Sequence, residues 1–198
     1  MNLDQVGKGV FSPEADLPNF RVSMDGGWFF VDESLDIRRN IFNKFCFGVF
    51  YEERLVLSAY EVYFLLDVCK CIDIKLKKDD LWNECSKIFS KGVFPRLYSV
   101  YSYYRSNLWV VRDGSVFGAH FVLYSDHPDI VHSRYMVQVL ESWEKAEKEA
   151  IICSRIAWSV KKEVILCVAE SNSDDFSNDS ILDKIKIQSI CVKRCKFR

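Results

Sequence analysis

The chain of 198 residues carries a formal net charge of −1, from 27 Lys and Arg against 28 Asp and Glu, and 49% of it is hydrophobic. A balance so near zero excludes a protein that coats nucleic acid non-specifically, because such binding comes from neutralising many phosphates. The apolar content excludes an intrinsically disordered chain, and no apolar run approaches the ~20 residues of a membrane helix. The opening MNLDQVGKGVFSPEADLP has no basic start followed by an apolar stretch, which points to a protein inside the cell. The eight cysteines then read as reduced thiols rather than a disulfide framework. Cys69 and Cys71 form a CxC and Cys191 and Cys195 a CxxxC. Neither has the CxxC spacing or the histidine partner of a zinc site, so no metal and no cofactor are expected.

In chain order, FRVSMDGGWFFVDE (20–33) predicts a hairpin around Asp25-Gly26-Gly27, where glycine supplies the positive φ of a tight turn. Ser58 and Glu61 make an S-x-x-E capping box that opens a helix running to about Cys69, with Val62, Leu65 and Leu66 on its buried face. KKDDLWNECSKIFS predicts a second helix, capped by Asp79 or Asp80 and ended by Lys91-Gly92. That glycine is the expected domain boundary, dividing the chain into 1–92 and 93–198. Pro95 restarts a helix with Leu97, Val100, Tyr101 and Tyr104 at i, i+3, i+4, i+7, a row better suited to packing than to base stacking.

LWVVRDGSVFGAHFVLY then predicts two strands joined directly by Asp113-Gly114, with Phe117, Ala119, Phe121 and Leu123 on one face and His120, Val122 and Tyr124 on the other. Tyr124 ends that strand. A loop containing His127-Pro128 follows, and His132 is expected to begin the next strand. A helix over about Trp143–Ser159 leads to EVILCVAE, a near-continuous apolar run typical of a strand buried on both faces, with Lys161 and Lys162 at the junction. SNSDDFSNDS reads as an acidic surface loop and KIKIQSICVKRC as a closing strand at a sheet edge. Basic residues collect in this half, at Arg155, Lys161, Lys162, Lys184, Lys186, Lys193, Arg194, Lys196 and Arg198, and a solvated basic face accounts for them as well as a binding surface does.

All three histidines, His120, His127 and His132, lie in or just before YSDHPDIVHSRY. Tyr124, His132 and Lys162 fall at a strand end, before a strand and at a helix-to-strand junction, places where side chains project from a rigid frame. Together they suit cleavage of RNA by its own 2′-hydroxyl, which needs a base, an acid and a cation for the charge developing on the phosphate. Histidine suits the acid, and a tyrosine base needs a nearby cation to favour its anion. Spacing does not show that the three meet. Taken one by one they read more often as a half-buried aromatic, a turn cap and a surface lysine. His127 is most simply a loop residue.

The stretch FPRLYSVYSYYRSNLWVVRDGSVFGAHFVLYSDHPDIVHSRYMVQVL, followed by SRIAWSVKKEVILCVAE, resembles the catalytic domain of the tRNA-splicing (tRNA-intron) endonuclease family. The shared pattern is a helix, a hairpin with a glycine-rich FGxxF strand ending in tyrosine, a histidine on the approach to the next strand, and lysine in V-x-K before an apolar strand. FCFGVFYEERLVLSAYEVYFLL is similar to the family's small N-terminal domain. The resemblance implies a mixed α/β protein, a small N-terminal α+β domain followed by a C-terminal α/β catalytic domain of restriction-endonuclease-like type. It implies Tyr124 as general base, His132 as general acid and Lys162, rather than Lys161, as the transition-state-stabilising lysine. Arg155 stands where the family often has an arginine that clamps an intron base. His120 stands where an acidic residue is common. NLWVVRDG with YSDHPDIVHSRY looks most like the eukaryotic subunit that cuts the 5′ exon–intron junction. The implied partners are precursor tRNA and the other subunits of a heterotetramer, joined through the closing strand and acidic loops, in the nucleus. Two alternatives remain at this point: a non-catalytic structural subunit of the same assembly, and a cysteine-based zinc-binding interaction protein.

Overall fold

Phe20 and Val22 alternate with more exposed neighbours, and in the computed structural model they build β1 (Phe20–Asp25), joined to β2 (Trp28–Val31) through Gly26 and Gly27 at φ 57° and 84°. The structure describes residues 8–9, 16–171 and 176–192. Lys193, Arg194, Cys195, Lys196 and Arg198, and the middle of the acidic loop, lie outside the described residues. The described residues form two units, 16–94 with 176–179, and 8–9 with 95–171 and 180–192, each built on its own five-stranded sheet. The protein is thus of mixed α/β class. Among the described residues, no helix is long and apolar enough to cross a membrane.

The first sheet has the order β3-β4-β2-β1-β5, with β3 (Val49–Tyr51), β4 (Arg54–Leu57) and β5 (Ile72–Ile74). These three strands, and α1 (Leu35–Phe45), go beyond what the sequence led us to expect. α1 opens at Ser34, whose side chain accepts from the Ile37 N–H, and buries only Ile41 and Phe45, a stripe too thin to stand out. The Ser58–Glu61 capping box is present at the start of α2 (Ala59–Asp67). Glu61 is buried, but its carboxylate accepts from the Gly48 N–H, the Ser58 N–H (both 2.8 Å) and the Ser58 hydroxyl (2.9 Å), so its burial is compensated.

α2 buries Glu61, Val62, Tyr63, Phe64 and Leu65 in succession, so it is enclosed all round rather than along one face. α3 (Lys78–Lys87) departs from expectation at its start: Lys77 is the N-cap, without a side-chain cap, and Asp79 and Asp80 fall inside the first turn. There they oppose the positive end of the helix dipole instead of capping it. Residues 176–179 also belong to this unit. The Trp82 indole donates to the Phe176 carbonyl (3.2 Å), and Asp179 accepts from the Tyr63 hydroxyl (2.9 Å) and pairs with Lys78 (2.6 Å). The described end of the acidic loop, expected as a surface loop, is therefore engaged by the chain's own first unit.

α4 (Val93–Ser106) starts two residues before Pro95, which sits in its first turn where a missing N–H costs nothing. It leads into the second sheet, of order β10-β9-β8-β7-β6. The strands are β6 (Val110–Asp113), β7 (Phe121–Tyr124), β8 (Tyr135–Leu140), β9 (Glu163–Ser171) and β10 (Ile185–Val192). β8 and β9 are parallel and linked by α5 (Ala146–Ser159), while the other neighbours are antiparallel. One sheet face receives α4: Tyr101 meets Phe121 with ring centroids 6.0 Å apart, and the Tyr104 hydroxyl lies 3.5 Å from the Cys167 sulfur. The tyrosine row is packing. The other face, carrying Val122, Met136, Val164, Leu166 and Val168, packs on Cys153 and Ala157 of α5.

Asp113-Gly114 does not form a two-residue hairpin. Residues 114–120 make the connection, with a 3-10 turn at Ser115–Phe117, so Phe117 and Ala119 lie outside the strand. A Cβ on Gly114 would come within 2.8 Å of the Phe121 backbone, so that glycine serves close approach rather than a tight turn.

Lys78 also pairs with Asp67 (2.7 Å), and its hydrogen bond holds the Asp179 carboxyl below its ordinary range while the Lys78 ammonium is raised. The Asp179 contribution is therefore present above its unfolded value near ~4 and lost as acid passes the lowered one; that of Lys78 is present below ~10.4 and lost above the raised one. Lys78→Met should cost about 1 kcal/mol, a modest figure because the lysine is partly exposed. Thermal melts should show that difference level between about pH 5 and pH 9 and shrinking as acid passes the lowered Asp179 value.

Candidate active site

Three chain segments reach the same end of the second sheet. β7 finishes at Tyr124, and because β8 runs antiparallel to it, the start of β8 lies alongside, with Leu123 opposite Tyr135. β9 runs parallel to β8, so its start is at that end too, with Tyr135 opposite Glu163. The Arg134 N–H donates to the Leu123 carbonyl (2.9 Å) and the Glu163 N–H to the Arg134 carbonyl (3.0 Å), which locks the approach to β8 between its neighbours. With strands ~4.8 Å apart, Tyr124, the segment from His132 to Arg134, and Lys162 span about 10 Å.

Tyr124 is half-buried against the cluster under α5. His132 is exposed and lies in extended chain, because β8 begins three residues later than expected, at Tyr135. Ser133 between them is buried. The Lys162 ammonium donates to the Ser133 carbonyl (2.9 Å) and to the Ser133 hydroxyl, and sits 4.9 Å from the centre of the Phe117 ring. Partial burial pushes Lys162 below the ordinary lysine value.

The adjacent lysine is placed differently. α5 is capped by Val160, and Lys161 adopts φ 56°, which swings the chain out of the helix; the Lys162 N–H then donates to the Ala157 carbonyl (2.8 Å). Lys161 is exposed while Lys162 is half-buried against Ser133. Arg155 lies exposed on α5. The sequence reading passed over Ser133 and Phe117, whose contact with Lys162 spans 29 residues in one case and 45 in the other; only the position of Ser133 beside His132 hinted at it.

The other two histidines have structural places. The His120 Nδ1 lies 3.1 Å from the Val139 backbone nitrogen and 3.1 Å from the Gln138 Oε1, contacts that hold its ring against β8. The His127 Nδ1 accepts from the Asp129 N–H (3.2 Å) and its carbonyl from Ile130 and Val131, which closes the loop after β7. Among the described residues, no three His, Cys, Asp or Glu side chains gather as a metal-holding group.

Residues 94–178 match the family model described as tRNA intron endonuclease, catalytic C-terminal domain, which defines the class as an RNA-cleaving enzyme. The chain is 34% identical over 181 residues to the tRNA-splicing endonuclease subunit Sen2-1 of Arabidopsis thaliana, covering 82% of this chain and 73% of that protein. It is 26% identical over 186 residues to the subunit Sen2 of Rattus norvegicus, covering 82% of this chain and 38% of the rat protein. It is 30% identical over 151 residues to the tRNA-splicing endonuclease of Methanothermobacter thermautotrophicus, covering 72% and 85%. The chain belongs to the tRNA-splicing endonuclease family. It spans about half the length of the rice Sen2 relative, 52%, and less of the rat one.

Burial lowers the His120 pKa. A histidine so shifted contributes stability that is present above its unfolded value of ~6.5 and is lost as pH falls through the lowered value. His120→Gln should therefore lose less stability than wild type between about pH 7 and pH 5, read from paired denaturant titrations.

Proposed function

We propose that the protein is the endoribonuclease subunit that removes introns from precursor tRNA by cutting at the 5′ splice site. In this reading residues 1–92 form the N-terminal domain and 93–198 the catalytic domain. Tyr124 takes the proton of the 2′-hydroxyl and the 2′ oxygen attacks the adjacent phosphorus. His132 protonates the departing 5′ oxygen as its bond to phosphorus breaks, leaving a 2′,3′-cyclic phosphate and a 5′-hydroxyl. Lys162 offsets the charge that builds on the phosphate oxygens. The balance of atoms closes with proton transfers alone, so the step calls on no cofactor.

One observation carries this reading: the Lys162 ammonium is bound to Ser133, the residue after His132, at the sheet end where Tyr124 closes β7. Similarity to proteins named Sen2 in plants and rodents supports assignment to that subunit, and the run NLWVVRDG with YSDHPDIVHSRY supports the 5′ cut. Arg155, exposed on α5, contacts the RNA beside the cleaved bond. The partners are the precursor tRNA and the other subunits of a heterotetramer, since a chain of net charge −1 needs added contacts to hold RNA. The proposed compartment is the nucleus, where cysteines stay reduced.

The test is cleavage of an end-labelled, intron-containing precursor tRNA by the co-expressed complex in EDTA. Tyr124→Phe, His132→Ala and Lys162→Ala should each slow the 5′ cut by ~10² to 10⁴, with the 3′ cut unaffected and a 2′,3′-cyclic end on the wild-type product. Lys161→Ala should stay within about threefold of wild type, as an exposed side chain outside the chemistry. Full 5′ cleavage by His132→Ala would instead make this a non-catalytic subunit.

A further inference from the structure

We infer that Ser133 and Phe117 are positioning residues that aim the Lys162 ammonium at the scissile phosphate and couple it to His132. The inference rests on the function proposed above and concerns residues which that chemistry does not itself use.

A lysine ammonium has three N–H donors on a flexible four-carbon stem, so an unrestrained lysine offers charge without direction. Here two donors are taken by one residue, through the Ser133 carbonyl at 2.9 Å and the Ser133 hydroxyl. The Phe117 ring closes a third side, its centre 4.9 Å from Nζ. One N–H remains, in a direction set by the other contacts. Aiming a donor before the reaction begins is what makes such a group effective, because nothing has to reorganise as charge develops.

Ser133 is suited to the task by its place in the chain. It is 5% exposed, so its two oxygens are withdrawn from competing water. It follows the exposed His132 in the chain and precedes Arg134, whose N–H and carbonyl are bonded to β7 and β9. A shift of Ser133 would therefore move acid and cation together. Phe117 is brought within reach by the 3-10 turn Ser115–Phe117 and the left-handed Gly118 at φ 67°. A two-residue turn at Asp113-Gly114 would have placed that ring in a strand.

The test is single-turnover cleavage by the assembled complex as a double-mutant cycle. Ser133→Ala should lower the rate of the 5′ cut by roughly 10- to 100-fold, the scale of one hydrogen bond to a charged group, with substrate affinity unchanged. Phe117→Leu should lower it by roughly three- to tenfold. Both effects should disappear in a Lys162→Ala background, whereas a general structural role would persist there. Amine-reactive labelling of Lys162, read by peptide mass spectrometry, should rise in both single variants, and it gives a readout should one of them lose activity by misfolding. Undiminished rates, equal losses with and without Lys162, or unchanged labelling would overturn the inference. If Lys162→Ala itself cuts as fast as wild type, the proposed chemistry fails first and this inference falls with it.

Discussion

The catalytic unit depends on the pairing around β8, which runs antiparallel to β7 and parallel to β9. An antiparallel neighbour brings its end, and a parallel neighbour its beginning, to the point where β8 starts. The end of β7, the approach to β8 and the start of β9 lie side by side for that reason, although 39 positions separate Tyr124 from Glu163. The parallel step requires a crossover helix, and α5 supplies it while covering one sheet face. The helix that makes the topology possible therefore also delivers Lys162 from its C-terminus.

Around this frame, two buried polar groups are answered by several hydrogen bonds each. Glu61 accepts three hydrogen bonds that join α2 to the turn before β3 and to its own cap. Ser133 is buried with both oxygens facing an ammonium. Such contacts contribute modestly to net stability but are costly to leave unmade, so they fix geometry more than they add strength. At the sheet end, fixed geometry is what the proposed reaction needs, and Ser133, next to exposed His132 in the chain, anchors half-buried Lys162.

Much of this was legible beforehand where local chemistry dominates. The Ser58–Glu61 cap, the buried row Leu97, Val100, Tyr101 and Tyr104, the apolar β9 and the edge strand β10 all lie where their patterns place them. Shorter or thinner patterns were not legible: β3, β5 and the narrow apolar stripe of α1 draw their stability from neighbours rather than from their own residues. Asp113-Gly114 misled because its turn preference is real, yet the close approach of Gly114 to the Phe121 backbone decided its conformation. Asp79 and Asp80 misled likewise, since an acidic residue serves a first turn as well as a cap.

For the site, the sequence by itself determined which side chains were available: one tyrosine, one histidine and a lysine pair in a recognisable order, with the family carried by the motifs around them. Residue identity is a covalent fact, and helix and strand periods follow from backbone geometry alone. Only the tertiary structure decided that the lysine held against Ser133 is Lys162, that His120 and His127 are spent on backbone contacts, and that Phe117 lies against the ammonium. Those outcomes depend on strand register and on a left-handed Lys161, which are set by packing between segments far apart in the chain.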